Sequence, residues 1–467
     1  MTAASQTLIR NVQVVNTRTG GTTPWRSVLI EGGRIRRISA SDDAPTPGGG
    51  QTIDGGGKYL VPGFLDLHVH AVDEAHENPG VWKLLLAHGV TGVRQMSGSA
   101  QTLALSRRFN AERAAGRLDA PEVLMTPGGL FMGQASDEAG GRAFVQQQQA
   151  LGTDFVKVVA GNREATLGIL DEARAQGLSV AGHLMPALTA QESSERGYRA
   201  VEHLGAGLGF LLDCSPQASQ IRREYLMGGA KPPFPPTYVL NPRAYDGARD
   251  APFYERVLDT FDEGLCQEVL HTFAEYGVWQ VPTLIRIRTQ DYGNAPEYRH
   301  DTNLAYLPSD TRALWDKVGD DFARVPPAAA HTLQRYYDLQ RRVTGMMKAA
   351  GVKMLAGSDL GGVWLIPGHS LHQEFRELAA CGLTPLDILQ MTTLRGAEFA
   401  GRQDDLGTVE EGKVADLVLL DADPLTDAAH LGQIGGLLLR GKYFSRTDLE
   451  DLKAQVTREA AARPFSG

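Results

Sequence analysis

The chain has 467 residues, of which 42% are hydrophobic and 22% charged, a composition typical of a globular protein with a sizeable core. Its net charge of −9 argues against nucleic acid or an anionic membrane surface as a partner. The three cysteines, Cys214, Cys266 and Cys381, form no close pair, so a disulfide framework is not expected.

Residues 1–10 lack the apolar core of a signal peptide. The sequence also contains no run of 18 apolar residues that would predict a membrane-spanning helix. We therefore expect a cytoplasmic protein with no membrane partner, which binds a small-molecule substrate and forms a homo-oligomer.

The first 60 residues are predicted to form β-structure. Residues 8–15 are rich in β-branched side chains, and residues 28–38 are typical of a hairpin that turns at Gly32 and Gly33. From Tyr59 onward the pattern changes, because short apolar runs alternate with longer helical stretches. A new structural unit is therefore expected to begin near this point.

Eight apolar runs follow one another along the chain. They are residues 60–67, 90–96, 122–126, 155–159, 178–181, 200–203, 278–285 and 352–356. Alternation of strands with helices predicts a parallel sheet, and eight units favour a closed (β/α)8 barrel, or TIM barrel. Two connections, residues 205–275 and 287–350, are too long for simple crossovers and are expected to carry their own helices at the C-terminal mouth.

The chain becomes rich in predicted strands again after Gly401, at residues 414–420 and 437–439. Neither end of the chain is long enough to form a good β-domain alone, so we expect both ends to pair into one small β-domain beside the barrel. The predicted organisation is residues 1–61 for its first part, 62–400 for the barrel and 401–467 for its second part.

The strongest chemical signal is the pair His68 and His70, which follows Pro62-Gly63 at the end of the first barrel strand. Alternation along a strand places both side chains on the same face, with about 7 Å of backbone between them. Two imidazoles in this arrangement can converge on one metal ion at the mouth of a barrel. The alternative is two packed core histidines.

Residues 62–70 resemble the first metal motif of the amidohydrolase superfamily, whose members have a (β/α)8 barrel and usually a small flanking β-sandwich. Residues 406–418 resemble the strand that returns into that sandwich. The superfamily takes its metal ligands from barrel strands one, four, five, six and eight. The resemblance implies these ligands here: His68, His70, Lys157, His183, His203 and Asp359.

The resemblance also implies a role for each ligand. Lys157, which is flanked by valines, would react with CO2 to form a carbamate that bridges two divalent metals; the alternative is a lysine that snorkels from a strand end. His183 and His203 would bind the second metal. Asp359 would bind the first metal and act as the proton shuttle. Zinc suits these ligands, and manganese is not excluded.

The implied reaction is hydrolysis of an amide or peptide bond by a hydroxide that bridges the two metals, with Asp359 passing the proton to the leaving group. The order of the motifs most resembles the imidazolonepropionase-like group, which includes Xaa-Pro dipeptidases and hydrolases of N-acyl amino acids. Imidazolonepropionase itself has one metal and no bridging lysine, so Lys157 favours the two-metal, peptidase-like members. The alternatives are opening of a lactone or cyclic amide, deamination, and a non-catalytic assembly protein.

A substrate with a free carboxylate needs a cationic partner. Arg286 and Arg288 follow the seventh strand and, as alternating residues, could share a face and bind that carboxylate; the alternative is solvated loop arginines. Tyr238 and Tyr292 lie in the long connections, where they could stabilise an oxyanion or line the pocket; the alternative is packed aromatic side chains.

Overall fold

The computed structural model describes residues 6–44, 50–228 and 235–462. The strands within these ranges are β1 (Gln6–Asn16), β2 (Gly21–Glu31), β3 (Arg34–Ala40), β4 (Gln51–Asp54), β5 (Tyr59–Pro62), β6 (Phe64–Val69), β7 (Val90–Gln95), β8 (Glu122–Met125), β9 (Leu130–Met132), β10 (Val156–Ala160), β11 (Val180–Gly182), β12 (Tyr198–Glu202), β13 (Trp279–Val281), β14 (Leu417–Leu420), β15 (Ile434–Leu439) and β16 (Lys442–Ser445).

The helices are α1 (Ala71–Glu77), α2 (Gly80–Ala87), α3 (Ala100–Ala114), α4 (Glu138–Leu151), α5 (Arg163–Ala175), α6 (Ala190–Glu195), α7 (Ala218–Met227), α8 (Arg243–Thr260), α9 (Glu263–Glu275), α10 (Leu284–Asp291), α11 (Pro296–Arg299), α12 (Ser309–Phe322), α13 (Pro327–Ala349), α14 (His369–Ala380), α15 (Pro385–Met391), α16 (Leu394–Phe399) and α17 (Arg446–Ala462). In the described part of the chain, none of these helices combines the length and hydropathy needed to cross a bilayer.

One eight-stranded sheet contains strands from both ends of the chain. Its order is β16-β15-β14-β5-β1-β2-β3, with β4 parallel to β1. The two ends meet where β5 and β14 run antiparallel, with Leu60 opposite Leu419. Ile9, Val28 and Leu417 belong to a hydrophobic cluster of this sheet. The ends therefore pair with each other, and a two-layer sandwich stays a prediction.

The strands between the two ends run parallel in two sheets, β6-β7-β8 and β13-β12-β11-β10-β9. Residues 353–360 lie between these sheets. Leu355 N donates to Gln280 O in β13, and Leu67 N in β6 donates to Ala356 O, both at 2.9 Å. The result is an α/β fold of parallel strands that is consistent with a TIM barrel.

The helices that follow these strands are set by local sequence. Helix α5 begins after Asn162, whose side-chain oxygen accepts a hydrogen bond from Ala165 N at 2.9 Å and so satisfies one free N–H of the first turn. Ala165, Ile169 and Ala173 recur every four residues and are all buried. The helix thus covers the sheet with its apolar face and presents its charged face outward.

Both long connections contain helices, as the sequence predicts. Residues 205–275 carry α7, α8 and α9, and residues 287–350 carry α11, α12 and α13. Two of them, α8 and α13, pack against each other.

The predicted seventh strand, residues 278–285, is shorter than expected. Strand β13 ends at Val281, because Pro282 has no N–H to donate and Thr283 adopts a left-handed backbone with φ 46°. Helix α10 begins at Leu284. Arg286 and Arg288 therefore lie on a helix, where residues two apart lie on different faces, so the prediction that they share a face is wrong.

Candidate metal centre

Histidine side chains collect at the carboxyl ends of the parallel strands. His68 lies on β6, His70 follows that strand, and His183 and His203 directly follow β11 and β12. The ring centroids are 5.5 Å apart for His68 and His70, 4.7 Å for His68 and His203, and 5.3 Å for His183 and His203. Four histidines from three separate segments of the chain thus form one cluster.

Asp359 lies against this cluster. Its Oδ1 is 3.1 Å from His68 Nε2 and 3.0 Å from His70 Nε2, and its Oδ2 is 3.8 Å from His203 Nε2. One ligand atom from each of His68, His203 and Asp359 lies within 4.8 Å of the others, and the described part of the chain contains no second group of this kind. The spacing suits a divalent cation.

The protonation states also fit a cation. Burial lowers the pKa of His70 to about 4 and that of His183 to about 3, so both imidazoles are neutral near pH 7 and have a lone pair to offer. Burial raises the pKa of Asp359, but His68 and His203 outweigh it and hold the pKa well below its usual value. His68 Nε2 is buried and makes no hydrogen bond to the described residues. A buried nitrogen without a hydrogen bond is suited to bind a metal.

The last predicted ligand of the candidate centre is Lys157. It lies on β10 with only 2% of its surface exposed. Burial lowers its pKa to about 8, against the opposing effects of Asp359 and Glu202. The amine is therefore far more easily neutral than an ordinary lysine amine.

Behind these side chains lies a layer of partners that the sequence analysis missed. His68 Nδ1 is 2.7 Å from Glu202 Oε2, and Arg94 Nη2 donates to Glu202 Oε1 at 2.6 Å. His203 Nδ1 is 2.5 Å from Thr283 Oγ1. Burial raises the pKa of Glu202, but Arg94 and His68 lower it to about 2, so Glu202 is a carboxylate. Its position next to His203 on a buried strand is the one signal that could have identified it.

Asp66 joins the first strand to residues 353–360. Its Oδ1 accepts hydrogen bonds from Ser358 N at 2.9 Å and His68 N at 3.3 Å, and its Oδ2 accepts one from Ser358 Oγ at 2.6 Å. The backbone is left-handed at His203 (φ 56°) and Asp359 (φ 54°). Such φ values are unfavourable for residues other than glycine and often occur at functional sites.

Of the two predicted arginines, the structure brings only Arg286 to the cluster. Its Nε is 3.1 Å from Asp359 Oδ2, and its two other nitrogens donate to the carbonyls of Leu240 at 2.7 Å and Val239 at 2.8 Å. Gly362 permits this pose, because a Cβ at that position would lie 2.0 Å from Arg286 Nη1.

The other predicted substrate residues have partners elsewhere. Arg288 forms an ion pair with Glu297, and its Nε is 3.4 Å from Glu377. The Tyr238 hydroxyl donates to Asp246 at 2.6 Å. The ring of Tyr292 lies 5.2 Å from the Arg288 guanidinium. None of these contacts is to the histidine cluster, and the roles of Arg288, Tyr238 and Tyr292 in substrate binding stay predictions.

A parallel α/β fold with histidines and a carboxylate at its carboxyl edge defines a class of metal-binding proteins. Residues 338–446 match the Amidohydrolase family.

Among solved structures, bottromycin amidohydrolase is 22% identical, with a TM-score of 0.73 over 98% of this chain and 92% of that one. A Xaa-Pro dipeptidase with bound methionine is 17% identical, with a TM-score of 0.65 over 94% of this chain and 100% of that one. These likenesses show the fold. "Adenine deaminase 3" of Rhizobium meliloti (strain 1021) is 24% identical over 205 residues, 38% of this chain and 31% of that relative's length.

Proposed function

We propose that this protein is a binuclear metal-dependent hydrolase that cleaves an amide or peptide bond in a small substrate. The observation that carries the proposal is the convergence of His68, His203 and Asp359, with ligand atoms within 4.8 Å of one another at the carboxyl edge of a parallel sheet. The match of residues 338–446 to the Amidohydrolase family supports a hydrolytic reaction at a carbon–nitrogen bond.

The proposal includes a closed (β/α)8 barrel over residues 62–400, with residues 353–360 as its eighth strand. Their hydrogen bonds to residues in β13 and in β6 support closure. Residues 1–61 and 401–467 would form the flanking β-sandwich. A cytoplasmic location, a homo-oligomeric state and the lack of a nucleic-acid partner stay predictions.

In this proposal His68, His70 and Asp359 hold one divalent metal, and His183 and His203 hold the other. The carbamate of Lys157 would bridge the two, and the lowered pKa of its amine favours the neutral form that reacts with CO2. When bound, the metals, for which zinc is the first candidate, would lower the pKa of water towards neutrality and polarise the substrate carbonyl.

In this proposal Asp359 moves the proton. It is ionised, because the imidazoles beside it hold its pKa low, so it can accept a proton from the attacking water and release it to the leaving nitrogen. Arg286 contacts the same carboxylate. A substrate carboxylate that replaced one of the carbonyl acceptors of Arg286 would therefore lie close to Asp359. Substrates of Xaa-Pro dipeptide or N-acyl amino acid type fit this arrangement, and the likeness to a Xaa-Pro dipeptidase supports it.

Deamination is the second candidate. The likeness to an adenine deaminase favours it, whereas a buried lysine with a lowered pKa at the centre favours the two-metal amide hydrolase. Opening of a lactone or cyclic amide is a further possibility for the same centre. Release of ammonia from adenine, against release of an amino acid from a dipeptide or N-acyl amino acid, distinguishes deamination from amide hydrolysis.

The test combines a metal count with a substrate screen. The full chain is loaded with zinc and bicarbonate, its metal is measured by elemental analysis, and panels of Xaa-Pro dipeptides, N-acyl amino acids and adenine are assayed. We expect about two metals per chain. Lys157→Ala should lose at least one metal and all activity, because no carbamate can form.

Lys413→Ala is the matched control, since Lys413 is equally buried but donates to the carbonyls of Gln403 and Leu406 away from the centre. That variant should keep both metals. A Lys157→Ala protein with two metals and the wild-type rate would rule out the carbamate, and a wild type that binds no zinc would rule out the proposed function.

A further inference from the structure

A buried ion pair, Arg94–Glu202, stands behind His68. The side chains of all three residues are fully buried, and they come from β7, β12 and β6 respectively. Arg94 Nη2 donates to Glu202 Oε1 at 2.6 Å, and Glu202 Oε2 lies 2.7 Å from His68 Nδ1. The chain of contacts therefore leads from the guanidinium to the first histidine of the metal centre.

The geometry of the imidazole decides what this chain of contacts does. A neutral imidazole carries one N–H and one lone pair, and an ionised carboxylate can only accept hydrogen bonds. Contact with Glu202 therefore holds a proton of His68 on Nδ1. Nε2, the atom that lies 3.1 Å from Asp359 Oδ1, is then the nitrogen that can offer a lone pair to a metal.

We propose that Arg94 and Glu202 form a positioning pair, which fixes the tautomer and the ring orientation of His68 and thereby sets the metal affinity of the centre. This inference rests on the proposed function, since it concerns the same metal centre. A carboxylate behind a metal-binding histidine orients the ring and raises its basicity.

Arg94 compensates the charge of the buried Glu202 carboxylate and fixes the position of that carboxylate against His68. Arg94 is itself fixed, since its Nε donates to Leu67 O at 2.6 Å, next to His68 in the chain. Its guanidinium also lies 5.7 Å and 5.0 Å from the rings of Phe155 and Phe399. The pair thus holds both the ring and the adjacent backbone.

The first experiment measures zinc affinity by competition with a chelator, on the full chain. Glu202→Gln and Arg94→Met should each bind zinc about 10- to 100-fold more weakly than the wild type. Arg113→Met is the matched control, because Arg113–Asp416 is also a buried ion pair but lies outside the metal centre. It should lose stability while its folded form keeps the wild-type affinity.

The outcomes separate this inference from the proposed function. A wild type without zinc binding would remove the proposed function and the positioning pair together. A wild type that binds zinc, with both variants at the same affinity, would overturn the positioning pair alone. Weaker binding in the Arg113→Met control by the same factor would also overturn it, because the loss would then be a general effect of destabilisation.

The second experiment observes the tautomer in the metal-free wild type, so it does not depend on any variant of Glu202 or Arg94 folding. The protein is labelled with ¹⁵N-histidine, and the His68 signals are assigned by their loss in His68→Asn. We expect an N–H proton bonded to Nδ1, shifted downfield by the carboxylate. Glu202→Asp should retain a weaker form of this signal, and Glu202→Leu should lose it. A wild-type protein with no proton on His68 Nδ1 would overturn the proposal.

Discussion

His68 and His203 present the same nitrogen to the metal centre because each is held at its other nitrogen. His68 Nδ1 meets the Glu202 carboxylate, and His203 Nδ1 meets the Thr283 hydroxyl. That hydroxyl donates its own proton to Pro282 O at 2.8 Å, so towards His203 it can only accept. Both Nε2 atoms are therefore free to face Asp359. The Thr283 hydroxyl therefore orients His203 in the same way that the Arg94–Glu202 pair orients His68.

Thr283→Val tests this contact at His203. Valine has the same branching as threonine, so the strain of the left-handed backbone is unchanged while the acceptor is removed. We expect zinc affinity to fall about 10-fold, as for other lost partners of metal-binding histidines, and stability to fall by about 1 kcal/mol. Chelator competition and the melting temperature measure the two effects.

Two further variants complete this test. Thr283→Ser should retain most of the affinity, because it keeps the hydroxyl. Thr344→Val is the matched control, since Thr344 is also fully buried and donates to a carbonyl, that of Gln340 in α13. Equal zinc affinity in Thr283→Val and Thr344→Val would contradict the role of the hydroxyl.

At the scale of elements, α10 begins without a capping hydrogen bond from the side chain of its N-cap residue. Thr283 is a good N-cap by residue type, but its hydroxyl is used by His203 and makes no cap. Glu374 of α14 replaces it, since its Oε2 accepts from Ile285 N at 2.7 Å. Because Glu374 supplies the cap, the Thr283 hydroxyl can contact His203 instead. The hydrogen bond from Ile285 to Glu374 also joins α10, which carries Arg286, to α14.

The cap makes stability depend on pH. Burial raises the pKa of Glu374 to about 8, above the model-peptide value of about 4.3 expected on unfolding. Between these values the folded state binds more protons than the unfolded state, so stability falls as pH rises from about 4 to about 8. Glu374→Gln still accepts a hydrogen bond but does not titrate, so it should remove this contribution, which is at most about 1.4 kcal/mol per pH unit.

Melting temperatures of wild type and Glu374→Gln at pH 5 and pH 8 check the prediction. The wild type should lose more than the variant between the two values, and at pH 8 the variant should be the more stable protein. Parallel losses in the two proteins would show that Glu374 does not titrate in this range.

The four histidines of the candidate centre could be singled out from sequence because each lies at or just beyond the end of an apolar run, in chain order. The order of the runs also predicted the parallel strands. The partners Arg94, Glu202 and Thr283 could not be predicted, since their roles depend on which strands are neighbours and which way each ring turns. The prediction that Arg286 and Arg288 share a face is wrong for a local reason. Pro282 and Thr283 end the strand and a helix begins, so the two arginines contact different partners.

At the scale of the whole molecule, the sheet made by the chain ends is attached to the parallel-strand part near α3. Arg113 at the end of α3 pairs with Asp416, the residue before β14. Asp416 also accepts from Arg440 N at 2.7 Å, and its carbonyl accepts from Gly63 N at 2.8 Å. A second pair, Asp119–Lys442, joins the loop after α3 to β16 at 2.6 Å. The two pairs connect the same two parts of the molecule.

These two ion pairs differ in burial, which predicts a large difference in their value. The side chains of Arg113 and Asp416 are 4% and 2% exposed, whereas those of Lys442 and Asp119 are 58% and 43% exposed. Arg113→Met leaves a buried carboxylate without its partner and should cost about 3–5 kcal/mol of unfolding free energy. Lys442→Met breaks a solvated pair and should cost less than about 1 kcal/mol. Denaturant unfolding measures both values. If Arg113→Met unfolds no earlier than Lys442→Met, the buried ion pair is not what joins the two parts. The sheet is then held mainly by the β5–β14 strand pairing.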